Sequence, residues 1–171
     1  VGELIGQSDI IINGEKLENI TSQDAKSRII TGFNSLIDNS YPNLEMIPLD
    51  SVFTEATLTQ TLESTQSEIS TTLSNPEQEI FSLIRLQVSK AVRLTYKDLL
   101  GHFEKKPYGW SRIAIHCLTA NLFTKAKIEL RKDSSVLEGR ELKLALQTNN
   151  QWPNVIIQLQ ADFSQKEIKD L

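Results

Sequence analysis

Cysteine is nearly absent. Cys117 is the single one in 171 residues, which excludes an internal disulfide, and with only two histidines there are too few soft ligands for a four-ligand structural zinc site. Glycine is thin as well, seven in all, and no G-x-x-x-x-G-K-[ST] string occurs, so the backbone cradle of a P-loop nucleotide site is missing. Gly2 and Gly6 flank a short segment without the required lysine and read as turn glycines. No apolar run approaches the ~20 residues of a membrane helix, the longest lying around Ile10–Ile12 and Val155–Ile157. Nothing at the start reads as a signal peptide, so a cytosolic location is expected. Two features at the ends point to a piece of a larger protein: the chain opens on Val1 without a methionine, and Ser164-x-x-Glu167 spells a capping box just before it stops at Leu171.

What is present is a 39% hydrophobic content, enough for one ordinary core or two small ones, and a net charge of −4 that is unevenly spread. Residues 1–84 carry three basic side chains against thirteen acidic ones; residues 85–132 carry eleven basic against three acidic. The first block repels nucleic acid, and the second attracts it. Three readings of the basic block stay open: a nucleic-acid surface, the solvated faces of amphipathic helices, or a docking face for the acidic block.

The predicted organisation is α+β, mostly helical, with a winged-helix-like C-terminal subdomain and a small β-sheet. Residues 1–62 read as an N-terminal α+β subdomain. In it, Ile10–Ile12 is a strand ending at an Asn13-Gly14 turn, and Ala25, Ile29, Phe33, Leu36 and Ile37 recur at helical spacing until Tyr41-Pro42. Leu44–Leu49 is read as extended and Thr54–Leu62 as a short helix. Residues 63–75, rich in Ser, Thr, Glu and Gln, read as a linker with little to bury. Asn75-Pro76-Glu77-Gln78 then supplies a cap, a proline and an N3 glutamine for a new helix with Ile80, Leu83, Ile84, Val88 and Ala91 inward. That opens the winged-helix-like subdomain, residues 76–163. Thr95 caps a helix through Phe103, the Lys105–Gly109 turn breaks it, a helix follows from about Trp110 to Lys125, and strands at Ile128–Leu130 and Val155–Ala161 flank a helix at Glu141–Gln147. Residues 164–171 read as the start of a further helix.

Little of this carries chemistry. His116 and Cys117 are neighbours on one helix, about 100° apart, and do not face each other; Cys117 sits in an apolar setting that reads as core. His102 near a helix end suits the negative pole of the dipole, and no catalytic residue is assigned. A hydrolase would need His102 or His116 paired with a carboxylate. The candidate nucleic-acid contacts are Lys105, Lys106 and Arg112 at the turn and helix start, with Lys97, Lys125, Lys127, Arg131 and Lys132 around them. Tyr96, Tyr108 and Trp110 lie among these cations, either to stack on bases or to hold the turn as core, and Pro107, Tyr108, Gly109 and Trp110 are read as the turn's structural residues.

The string Lys106-Pro107-Tyr108-Gly109-Trp110, the apolar helix after it, Lys125–Leu130 and the Glu138–Leu146 helix, with Ala25 to Leu44 ahead of them, resemble part of the large P-loop ATPase of bacterial BREX phage-defence systems and related phage-growth-limitation proteins. The resemblance implies a much larger cytoplasmic protein whose ATPase domain lies outside this chain. It also implies membership of a multi-protein complex that tells host from phage DNA. No catalytic residue is carried over, no cofactor is expected in this segment, and no metal or membrane is expected as a partner. The expected function is a non-catalytic accessory module contacting double-stranded DNA or other subunits of the defence complex, with a purely structural assembly module as the alternative.

Overall fold

The Asn13-Gly14 turn adopts the conformation its residues favour: φ is 54° and 87°, and it joins β1 (Ile11–Ile12) to β2 (Glu15–Lys16) in an antiparallel hairpin. The computed structural model describes residues 1–18, 20–64 and 72–160. The further helix expected at 164–171 and most of the 63–75 linker lie outside the described residues.

Helix α2 (Ala25–Ser40) starts on Asp24, whose carboxylate accepts the Ser27 N–H at 2.8 Å. Arg28 faces back from its first turn and is buried. Its guanidinium donates to the carbonyls of Ile5 at 2.9 Å and Ser22 at 3.0 Å, and to that of Ser8, holding the short α1 (Gly2–Gln7) against α2. The helical period expected here is correct. Among the described residues no layer covers most of its stripe, however: Ile29, Phe33, Leu36 and Ile37 remain 41% to 61% exposed. Residues expected to be extended after Tyr41 instead form a 3-10 turn, Leu44–Met46, held by the Asn43 N–H on the Pro107 carbonyl at 3.1 Å.

α3 (Glu55–Glu63) opens on a Thr54/Thr57 capping box and drives Leu58 fully into the main core. α4 (Asn75–Ser89) begins one residue earlier than the sequence pattern suggests. Ser74 is the cap and Glu77, not Gln78, closes the box by accepting the Ser74 N–H at 2.7 Å. Ile80 and Ile84 are buried as expected, but Val88 and Ala91 are exposed, because the helix ends at Ser89 and the chain turns at Ala91 with φ of 53°.

β3 (Leu94–Thr95) leads into α5 (Tyr96–Phe103), capped by a Thr95/Asp98 box, and then α6 (Arg112–Thr124), capped by Ser111. β4 (Ile128–Lys132) and β5 (Ser135–Val136) form a hairpin through Asp133 and Ser134, both at positive φ. α7 (Gly139–Gln147), a 3-10 turn (Trp152–Asn154) and β6 (Ile156–Leu159) complete the described chain. The sheet has four strands rather than the two expected, in the order β3-β6-β4-β5 with antiparallel neighbours; Ile157 lies opposite both Leu94 and Leu130. β3 and β5 escape sequence reading because two residues are too few to display a period of two.

α6 is the centre of this arrangement. Every residue from Ala114 to Ala120 is buried, and Leu122 with them, because α3 and α4 pack on it as well as α5 and β4. The helical period predicts an inward stripe of Ile113, Ala114, Cys117, Leu118 and Leu122; the helix is instead covered nearly all round, with Ile115, His116, Thr119 and Ala120 also buried.

Candidate interaction surface

The expected contact residues divide sharply. Lys97, Lys105 and Lys106 are exposed, and Lys106 stands over the Tyr41 ring at 5.7 Å. Arg112, the first residue of α6, is already engaged: its Nε donates to Glu104 Oε1 at 2.6 Å and its guanidinium lies 5.1 Å from the centre of the Trp152 ring. Arg131 pairs with Glu129 at 2.9 Å and donates to the Ser134 carbonyl. Lys132 reaches Gln151 at 3.4 Å, and Lys127 is half-buried.

Lys125 departs furthest from the expected role. Its ammonium donates to both Glu77 oxygens, at 2.9 and 2.7 Å, and to the Thr72 carbonyl at 3.0 Å, with side-chain exposures of only 10% and 3% for the pair. It is an internal strut, not a free cation. Sequence alone does not reveal this, because Glu77 lies 48 positions away.

The interleaved aromatics are likewise internal. Tyr96, Tyr108 and Trp110 are buried, so they have no face to offer a base. Trp110 stacks on Phe103 with ring centres 4.7 Å apart, Tyr108 meets Phe103 edge-on, and the indole N–H donates to the Asn43 carbonyl at 3.0 Å. Tyr108 gives its hydroxyl to Glu79 at 2.5 Å, and burial, then Glu79, pushes its pKa up to about 12. Gly109 makes the turn possible. At φ of +65° a Cβ there would lie 2.6 Å from the Tyr41 ring. The Pro-Tyr-Gly-Trp string is therefore a folding device that seats the α5–α6 turn on the end of α2.

Among the described residues neither histidine is hydrogen-bonded or ion-paired to a carboxylate. His102 lies against the Phe103 and Tyr108 rings. His116 Nδ1 is hydrogen-bonded to the Tyr96 hydroxyl; burial holds that phenol well above its ordinary pKa, so it stays protonated. Burial, then the nearby Arg112 charge, lowers the His116 pKa from 6.5 to about 4, against a small opposing pull from Glu104. The unfolded chain therefore binds a proton below pH 6.5 that the folded chain refuses until about 4. Stability is expected to fall as pH drops through that window, by on the order of 3 kcal/mol from this group. Urea unfolding at pH 7 and pH 4.5 checks it: a His116→Gln variant should lose that part of the slope, and an unchanged slope would contradict the assignment.

Cys117 is buried between α6 and α3, its sulfur 3.7 Å from both the Thr57 hydroxyl and the Thr54 carbonyl; burial raises its pKa, which leaves it an inert thiol. Among the described residues no group of three or more His, Cys, Asp or Glu is placed to hold a metal ion, and no helix is long and apolar enough to cross a membrane.

Three exposed cations outside the expected set, Arg85, Lys90 and Arg93, stand near the exposed Leu86, Val88 and Val92 at the end of α4. The signal for them is in the sequence: residues 80–97 contain four cations and no carboxylate.

The helix–strand–helix–helix–strand–strand order from α4 to β6, with a sheet beside the helix pair α5 and α6, is a winged-helix arrangement elaborated by β5 and α7 between the last two strands. No solved structure matches the chain. The family model described as the BREX ATP-binding protein BrxC winged helix-turn-helix domain matches residues 44–160, and the chain belongs to that family.

Proposed function

We propose that this accessory module of a phage-defence protein works by protein contact, inside a cytoplasmic ATP-binding protein whose nucleotide site lies outside these residues. The observation that carries this reading is the covering of α6. In helix-turn-helix proteins that read DNA, the second helix of the motif enters the major groove and offers polar side chains to base edges. Here that helix is buried by α3 on one side and α4 on another, and its sequence after Arg112 has no further cation. Exposed aliphatic side chains lie instead on α2 and α4, a composition that suits protein surfaces better than phosphate.

A second reading, contact with double-stranded DNA, is favoured by one observation: Lys97, Lys105 and Lys106 are exposed and make no ion pair among the described residues. Anisotropy of a labelled duplex of ~20 base pairs, titrated with salt, separates the two, since each neutralised phosphate contributes about −0.9 to the log–log slope. Protein contact predicts no binding at physiological salt. A slope of several units that disappears in the K105E/K106E/R112E variant would replace it with DNA binding.

A further inference from the structure

We propose that the outward face of α4, with the adjoining end of β6, is a docking site for an acidic protein segment bearing aliphatic side chains, supplied by another chain. This rests on the protein-contact reading and names the partner's chemistry. Two grooves meet at Val88 and Leu159: one of about 570 Å³ runs beside residues 91–94 and β6, the other, of about 480 Å³, along α4 from Ser82 to Ser89. Leu86, Val88 and Val92 stand in them 47%, 42% and 51% exposed.

The charge around these side chains is of one sign. Arg85, Lys90 and Arg93 are exposed, and among the described residues none of the three makes an ion pair. Among the described residues no carboxylate lines either groove. Three other cations of the basic block are paired, Lys125 with Glu77, Arg112 with Glu104 and Arg131 with Glu129, whereas Lys97, Lys105 and Lys106 share the unpaired state without an apolar groove between them. Arg85 lies over the Phe81 ring at 5.9 Å but has no counter-charge, and cations without an ion pair around an apolar floor select a partner that supplies both carboxylates and aliphatic groups. A phosphate backbone would satisfy the rim and leave Leu86, Val88 and Val92 facing water; a purely apolar partner would strand the cations.

The test is photo-cross-linking in the intact ATP-binding protein within cells carrying the defence system, with benzoylphenylalanine placed at Leu86 or Val92 and, separately, at Phe33 on α2. The expected product from Leu86 and Val92 is a defined peptide of net negative charge with aliphatic residues, identified by mass spectrometry. Its yield should drop about tenfold in R85E/K90E/R93E, whose thermal melt stays unchanged because all three residues are exposed. Cross-links to nucleic acid, to a segment without net negative charge, or unaffected by the reversal would overturn the inference, as would none at all from these two positions. The Phe33 arm separates the two readings. Protein cross-links there with none from α4 overturn only this docking site, whereas none from either surface overturn protein contact as well.

Discussion

Replacing Lys125 by methionine is expected to destabilise the domain by about 3 to 5 kcal/mol, the cost of leaving a buried carboxylate without its counter-charge. The Glu77 side chain is 3% exposed, and among the described residues its other partner is the Ser74 N–H that closes the cap of α4, which carries no charge. Losing the ammonium also removes the bond that Lys125 donates to the Thr72 carbonyl at 3.0 Å. Chemical denaturation measures the loss directly. The companion variant Lys125→Met/Glu77→Gln should recover most of it, because glutamine still serves the capping box and carries no charge. If single and double variants are equally unstable, the charge pair is not the cause. A Lys125 that acted at a nucleic-acid surface would show the opposite pattern, with stability intact and salt-dependent binding lost.

Truncating Leu58 to alanine is expected to cost about 2 to 5 kcal/mol, the range for emptying a fully enclosed leucine site. The change also tests how α3 is held. This nine-residue helix is too short to persist alone, and Leu58 is its one fully buried residue, packed where α3 covers α6. Hydrogen exchange should therefore accelerate across 55–63 in the variant more than across α5, and dye binding to apolar surface should rise as α6 is uncovered. Leu49→Ala is the control: that side chain is fully exposed, and its loss should leave the denaturation midpoint where it was. Comparable losses at both positions would mean that α3 contributes little to the fold.

Capping chemistry and turn residues made much of this architecture legible, since each satisfies backbone groups locally. Thr95 with Asp98, Asp24 with Ser27 and Asn13-Gly14 all behave as their sequence neighbourhoods require. Where two local solutions compete, the pattern misleads by a residue: Ser74 with Glu77 prevails over Asn75 with Gln78 because the carboxylate also meets Lys125. Partnership over long separations was not legible. The eleven cations of 85–132 look alike in sequence, yet Lys125 is paired with the buried Glu77, Arg112 and Arg131 are paired nearer the surface, and Arg85, Lys90 and Arg93 stand free of ion pairs among the described residues. Periodicity likewise identifies a helix at α2 but not whether anything packs on its stripe. The aromatic residues near Lys105 and Lys106 carried the same ambiguity, which Gly109 resolves by letting the Tyr41 ring close over the turn.

The order β3-β6-β4-β5 has a consequence for how the chain is made. Of these four strands the last in sequence, Ile156–Leu159, lies between two that are both made before it, so Leu94 and Leu130 meet a common neighbour only when Ile157 arrives. A nascent chain emerging from the ribosome can form its helices one by one, but the sheet beneath them stays open until that final strand is released. A stop codon just before Ile156 would therefore leave two unpaired strand edges and an uncovered apolar floor, the kind of product that chaperones and proteases clear.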